Sequence, residues 1–175
     1  QDPSCQIILA GQQPALCAGP LLSTVKLLSA IGLAADLEKR GIPAVALFWI
    51  ADEDHDVGEL NPGSFRNGSQ LGVPFDRGRR PISGLRHPLS TEERIRELED
   101  CFEGAPHSAE ILSLMRKALD PSPSAEFCNL LWQFLPEEAW LPIYPQWLRG
   151  LQLPWIEKAH SESGVYQQEV RRASS

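Results

Sequence analysis

Ala44 to Asp56 reads AVALFWIADEDHD, an unbroken apolar run followed by four carboxylates packed around one imidazole. A run this short without polar alternation predicts a strand over Ala44 to Ile50, covered on both faces, whose carboxyl end is abruptly polar. Gln6 to Ala10 (QIILA) has the same character and stops at Gly11-Gln12-Gln13. Between the two, Pro20 to Arg40 carries the punctuation of a helix. Gly19 precedes it, Pro20 sits in its first turn, Lys39 and Arg40 lie in its last turn, and Gly41 follows. Strand, helix and strand in that order form a right-handed crossover with adjacent parallel strands. The fold class expected is therefore α/β, a Rossmann-like parallel sheet core with an added helical segment. Ligands of such sheets bind at the carboxyl ends of the strands, which brings Gly11 to Gln13 and Asp52 to Asp56 to one edge.

Downstream, Asn61 to Pro88 is rich in Gly, Pro, Ser and Arg and reads as a long loop holding at most a strand over Leu71 to Phe75. Ser90 with Glu93 three residues later predicts a capped helix through Phe102. A second helix follows Pro106, with Ile111, Leu114, Met115 and Ala118 on one stripe. A third begins at Ser122-Pro123, with Phe127, Leu130, Leu131 and Phe134 at helical spacing. Leu141 to Tyr144 predicts a third core strand, and Gln146 to Ser161 a helix interrupted near Gly150 and Pro154. Gly164 to Ala173 reads as a polar, frayed end. The organisation expected is a βαβ half over 1–60, a loop-rich excursion over 61–90, and a helical segment with a further strand and helix over 91–175, in one compact domain.

The 175 residues carry a net charge of −7, which argues against a nucleic-acid surface. The arginines at 77, 79, 80 and 86 fall in the Gly/Pro-rich loop and read as a solvated cluster. The longest oily stretch, Leu27 to Ala35, is broken by Ser29 and Gly32, so no membrane span is expected. Cys5, Cys17, Cys101 and Cys128 have no metal-knuckle spacing, which fits a reducing cytoplasm.

Lys26 is the only charged residue between Asp2 and Asp36, on a helix that is apolar nearly all round. Either its stem runs to the surface, or it is a cation placed to hold a phosphate or carboxylate. Gln12 and Gln13 hydrogen-bond without titrating near neutrality, so they can orient a substrate but cannot act as its base. Gly11 and the Gly19-Pro20 helix start suit an anion, or simply make a turn. The carboxylates Asp52, Glu53, Asp54 and Asp56 around His55 call for something positive: His55 itself, Lys26, a loop arginine, a divalent cation or a substrate ammonium. A solvated acidic turn is the plain alternative. His87, His107 and His160 lack carboxylates at ligand spacing and read as structural or exposed. Trp49, Trp132, Trp140, Trp147 and Trp155 read as core.

Taken together, Gly11-Gln12-Gln13-Pro14, Gly19-Pro20-Leu21 with Lys26, Phe48 to Asp56 and Glu59-Leu60-Asn61 resemble the signatures of the cysteine-adding enzymes (cysteine ligases) of bacillithiol biosynthesis. The match covers Ile7 to Asn61 well and Phe127 to Lys158 more loosely. The resemblance implies a Rossmann-like core akin to class I nucleotidyltransferases and a cytoplasmic carbon–nitrogen ligase that joins cysteine to glucosaminyl-malate. It implies activation of the cysteine carboxylate by a nucleotide such as ATP or ADP, and a homodimer where a long coiled coil is present. It assigns Asp54, His55 and Asp56 to catalysis or to an ammonium group. Gly11, Gln12, Gln13, Gly19, Pro20, Lys26, Trp49, Glu53 and Asn61 fall to substrate or nucleotide binding, with no metal site. This sequence departs from the pattern in having no long heptad stretch, no H-x-G-H signature and Tyr144 before Pro145. The second reading is a truncated or degenerate relative that binds a ligand without turnover.

Overall fold

A computed structural model describes residues 3–61, 65, 68–69, 71, 73–75, 80–135 and 139–161. The described residues fall into two compact units, one ending at Ile143 and the other beginning at Tyr144.

The first unit holds a sheet of three parallel strands in the order β1 (Gln6–Gln12), β2 (Ala44–Ile50), β3 (Trp140–Ile143). Helix α1 (Leu21–Lys39) joins β1 to β2 and packs on both, giving the expected crossover. A ladder with Gln6 opposite Ala44 and Gln12 opposite Ile50 fixes the register. On β2 the side chains alternate. Ala44, Ala46, Phe48 and Ile50 are buried, while Val45, Leu47 and Trp49 on the other face are half-buried. Phe48 meets Phe127 of α4 (Pro123–Phe134) at 6.4 Å between ring centres, and Trp140 edge-on at 6.3 Å. Trp132 stacks on Trp140 at 4.5 Å. The core therefore lies on the Phe48 face.

The opposite face is half-buried along β2 and open along β1 and β3, which corrects the expectation of strands covered on both sides. Ile7 and Leu9 of β1 are 62% and 60% exposed, and Leu141 of β3 is 55% exposed. Continuous apolarity cannot tell a strand buried twice from one whose second apolar face meets water in the chain at hand.

Helix α2 (Thr91–Cys101) starts at the expected capping box, in which Ser90 Oγ accepts from the Glu93 N–H and Glu93 Oε2 accepts from the Ser90 N–H. Helix α3 (Ser108–Ala118) and α4 complete the helical layer. Short 3₁₀ turns lie at Leu16–Ala18, Val57–Leu60 and Ile82–Gly84. Residues 71 and 73–75 form no strand. Their side chains at Leu71, Val73 and Phe75 are nonetheless buried, so their apolarity reflects packing without a ladder. The arginines at 77 and 79 and the tail from 164 to 173 lie outside the described residues.

In the second unit, α5 (Pro145–Ser161) runs unbroken through Gly150 and Pro154. A proline ring crowds the carbonyl four residues earlier. Here that carbonyl belongs to Gly150, at a point where an added Cβ would meet nothing within 4 Å. Trp147 and Trp155 are 60% and 71% exposed, correcting their assignment to a core. No helix among the described residues is long and apolar enough to cross a membrane.

Candidate functional site

The site is built by two strand ends and one helix face. β1 continues two residues past the apolar run because Gly11 pairs with Trp49. A Cβ at position 11 would stand 2.8 Å from Trp49 Cβ and 3.0 Å from its carbonyl oxygen, so the close approach of these strands needs glycine. The Ala51 N–H then donates to the Gln12 carbonyl at 3.0 Å, which leaves Gln12 and Gln13 at the carboxyl end of the sheet.

The acidic segment after β2 is pinned from an unexpected direction. Ile82 N–H donates to the Asp54 carbonyl and Ser83 N–H to the Asp52 carbonyl, each at 2.8 Å. Asp52 is buried at the strand end, and Asp54 is turned toward the glutamines.

Four side chains meet there. Lys26 Nζ donates to Gln12 Oε1 at 2.8 Å, Gln12 Nε2 to Gln13 Oε1 at 3.5 Å, and Gln13 Nε2 to Asp54 Oδ2 at 2.5 Å. These residues line a cavity of about 600 Å³ at the strand ends, together with Gly11, Trp49, Leu9, Ala10 and Ala51. That volume lies within the range of small-molecule sites. Lys26 thus turns its amine toward the strand ends, where the sequence had left open a stem running out to solvent. The His55 and Asp56 backbone N–H groups donate to Asp54 Oδ1 at 2.6 and 3.0 Å. The N–H of Asp56, the amide of Gln13 and the N–H of His55 together hold the Asp54 carboxyl below the ordinary aspartate range. Asp54 is an anion at neutral pH.

The remaining candidates do not line this cavity. The His55 ring is 77% exposed, with Nδ1 3.7 Å from Asp54 Oδ1. Asp56 Oδ1 accepts from the Gly58 N–H at 3.0 Å and so caps the turn Val57–Leu60. Glu53 and Asn61 are exposed. Gly19 takes a left-handed conformation with φ of 69°, and an added Cβ would press on Ala15 at 3.0 Å. Pro20 is the N-cap of α1. Both shape the turn into the helix.

A second polar cluster went unseen in the sequence. The Arg94 guanidinium forms a buried ion pair with Glu126 and donates to the Asp120 carbonyl at 3.0 Å. His87 Nε2 lies 3.3 Å from the same Glu126 carboxylate, its ring almost wholly buried. His87 therefore has the carboxylate neighbour that its sequence context lacked. The available signal was Arg94 itself, which shares the apolar stripe of Leu98 and Cys101. Burial pushes the Cys17 thiol up to about 12, so this cysteine is no nucleophile at neutral pH. Among the described residues no group of three or more His, Cys, Asp or Glu side chains could hold a metal ion.

Residues 1–165 match the family model described as bacillithiol biosynthesis BshC, N-terminal Rossmann-like domain. A Bacillus cereus protein named "Putative cysteine ligase BshC" is 27% identical over 97% of this chain and 34% of its own length. A protein of the same name from Oceanobacillus iheyensis is 32% identical over 78% of this chain and 27% of its own length. A third, from a Geobacillus species, is 47% identical over 60 residues, 34% of this chain and 11% of its own length. The chain thus spans about a third of the length of the relatives it matches most fully.

Proposed function

The chain belongs to the bacillithiol biosynthesis BshC family as its N-terminal Rossmann-like domain, and on that premise we propose that the full-length enzyme is a cysteine ligase whose substrate pocket is the cavity at the ends of β1 and β2. The reaction is amide formation between the carboxylate of cysteine and the amine of glucosaminyl-malate. The observation that carries this reading is the convergence of Lys26, Gln12, Gln13 and Asp54 on one cavity at the strand ends. The family match favours this over a ligand-binding module without turnover.

The work of these residues is positioning. Lys26 offsets negative charge on a carboxylate, the glutamines orient polar groups, and Asp54 attracts an amine. His55, beside Asp54 and open to solvent, is the base proposed to take the proton that the attacking amine loses, and Asp56 holds the turn that presents it. Glu53, Asn61, Gly19 and Pro20 support the site through the turns they occupy. Activation of the carboxylate needs a nucleotide such as ATP or ADP. A polyphosphate does not fit this cavity, because its lining offers one cation beside a carboxylate. A biosynthetic role and four free cysteines support a cytoplasmic setting.

The test is product formation by the full-length enzyme, followed by mass spectrometry from pH 6 to 9 with cysteine, glucosaminyl-malate and ATP. His55→Ala should lower turnover by about two to four orders of magnitude. Turnover like that of the unaltered enzyme removes the base role. Absence of product from the unaltered enzyme with any nucleotide refutes the ligase reading in favour of a binding module.

A further inference from the structure

The Asp54 carboxylate is held through its own backbone. The Asp54 carbonyl and the His55 N–H belong to one planar, trans peptide unit, so they point in opposite directions. The carbonyl accepts from the Ile82 N–H at 2.8 Å, and the His55 N–H, turned the other way, donates to Asp54 Oδ1 at 2.6 Å. Whatever fixes that carbonyl therefore also aims the donor that holds the carboxylate. Two peptide units earlier, the Ser83 N–H fixes the Asp52 carbonyl in the same manner at 2.8 Å.

The segment that carries these two donors is anchored away from the site. Ile82 and Leu85 are buried, and the turn Ile82–Gly84 packs on α4. Beyond it the His87 N–H donates to the Pro121 carbonyl at 2.9 Å, and the His87 ring lies buried against Glu126. An outside anchor answers a difficulty in the turn itself, where Asp52, Glu53, Asp54 and Asp56 repel one another. The charged and titratable groups facing Asp54 are His55 of its own turn and Lys26 of α1, which reaches it through Gln12 and Gln13. Ile82 and Ser83 add no charge. They hold the turn by N–H dipoles alone.

We propose that Ile82 is a positioning residue of the strand-end site: its backbone N–H, anchored on α4, sets the peptide unit that aims the His55 N–H at the Asp54 carboxylate and so presents that carboxylate to the cavity. The role rests on the ligase reading in taking the cavity as the substrate site. It extends that reading to a residue that does not line the cavity.

The test uses the full-length enzyme with Ile82 exchanged for the α-hydroxy acid of the same side chain. This replaces the N–H by an ester oxygen and keeps the packing. The same exchange at Gly41, whose N–H donates to the Glu38 carbonyl at 2.9 Å at the far end of α1, controls for the loss of one backbone hydrogen bond. Ile82→Val keeps the N–H and trims the side chain. The Asp54 carboxyl is titrated by NMR with carboxyl-labelled aspartate, its signal identified by its absence from Asp54→Asn. The Ile82 ester should titrate higher, nearer the ordinary aspartate range, because the anion loses an aimed donor. Its kcat/KM should fall about tenfold, as expected for a displaced binding group. The Gly41 ester and Ile82→Val should titrate as the unaltered enzyme does.

An unmoved Asp54 titration in the Ile82 ester, or the same rise in all three variants, overturns the proposal. Where the ester does not fold, the unaltered enzyme labelled with nitrogen-15 isoleucine decides: the Ile82 amide signal should shift as Asp54 titrates, since hydrogen bonds in series polarise one another, and an unmoved signal overturns the proposal. If Asp54 responds as expected but the unaltered enzyme makes no thiol product, the ligase reading fails while the positioning role stands. If product forms and Asp54 does not respond, the positioning role alone fails.

Discussion

His87, Arg94 and Glu126 show how much a few buried atoms decide. Burial first, and the Arg94 charge second, press the His87 imidazole down to about 4, against some pull upward from Asp120. Burial also lowers the Arg94 guanidinium to about 10, which still leaves it charged at neutral pH beside Glu126. Above pH 6.5 the imidazole is neutral whether the chain is folded or not. As pH falls from 6.5 toward 4 the unfolded chain takes up a proton that the folded chain refuses, so stability drops through that window by up to about 3 kcal/mol. Denaturant midpoints measured from pH 7.5 to 4.5 should fall, and His87→Phe or His87→Leu should flatten the curve. An unaltered slope in those variants would assign the acid sensitivity to other groups. Glu126→Gln breaks a buried ion pair on one side only and should cost about 3 kcal/mol or more at neutral pH. At the strand ends, Gly11→Ala forces a Cβ to within 2.8 Å of Trp49 and should both destabilise the fold and displace Gln12. Its activity loss in the full-length enzyme should exceed that of a mild surface substitution such as Glu38→Gln.

At the scale of elements, what was legible is what local chemistry writes directly into adjacent residues. β2 spans the quoted apolar run. α1 lies within one residue of its punctuation at each end, and α2 begins at its capping box. Ser90→Ala removes the Oγ acceptor for the Glu93 N–H and should cost about 1 kcal/mol. For a domain of this size that is a fall in Tm of about 2–4 °C, readable by calorimetry. The Gln12-Gln13 pair and the acidic turn were legible as strand ends, because parallel crossovers place such ends together. The pinning of Asp52 and Asp54 by Ser83 and Ile82 was not. It is made of backbone groups far apart along the chain, and backbone hydrogen bonds leave no pattern in side-chain identity. The partner of His87 was hidden by distance along the chain, since Glu126 lies on a helix whose own spacing says nothing about the loop that carries His87.

Over the whole molecule, the sheet carries two apolar faces but buries one. Ile7 and Leu9 on β1 and Leu141 on β3 stand open, and Leu22, Val25, Leu28 and Leu33 of α1 are exposed as well. Within the described sheet no strand lies beyond β1, so its edge also offers unpaired backbone groups. An apolar face next to an open edge is the usual substrate for edge-to-edge association. The 175-residue chain prepared alone should therefore self-associate at micromolar concentrations, seen as concentration-dependent sedimentation. Replacing Ile7 and Leu9 together by lysine sets like charges on that edge and should return the chain to a monomer. Because both side chains already meet water in this chain, the exchange should alter stability by no more than about 0.5 kcal/mol per site. A monomeric unaltered chain would contradict the association, and a large loss of stability in the lysine variant would show that the face is covered after all.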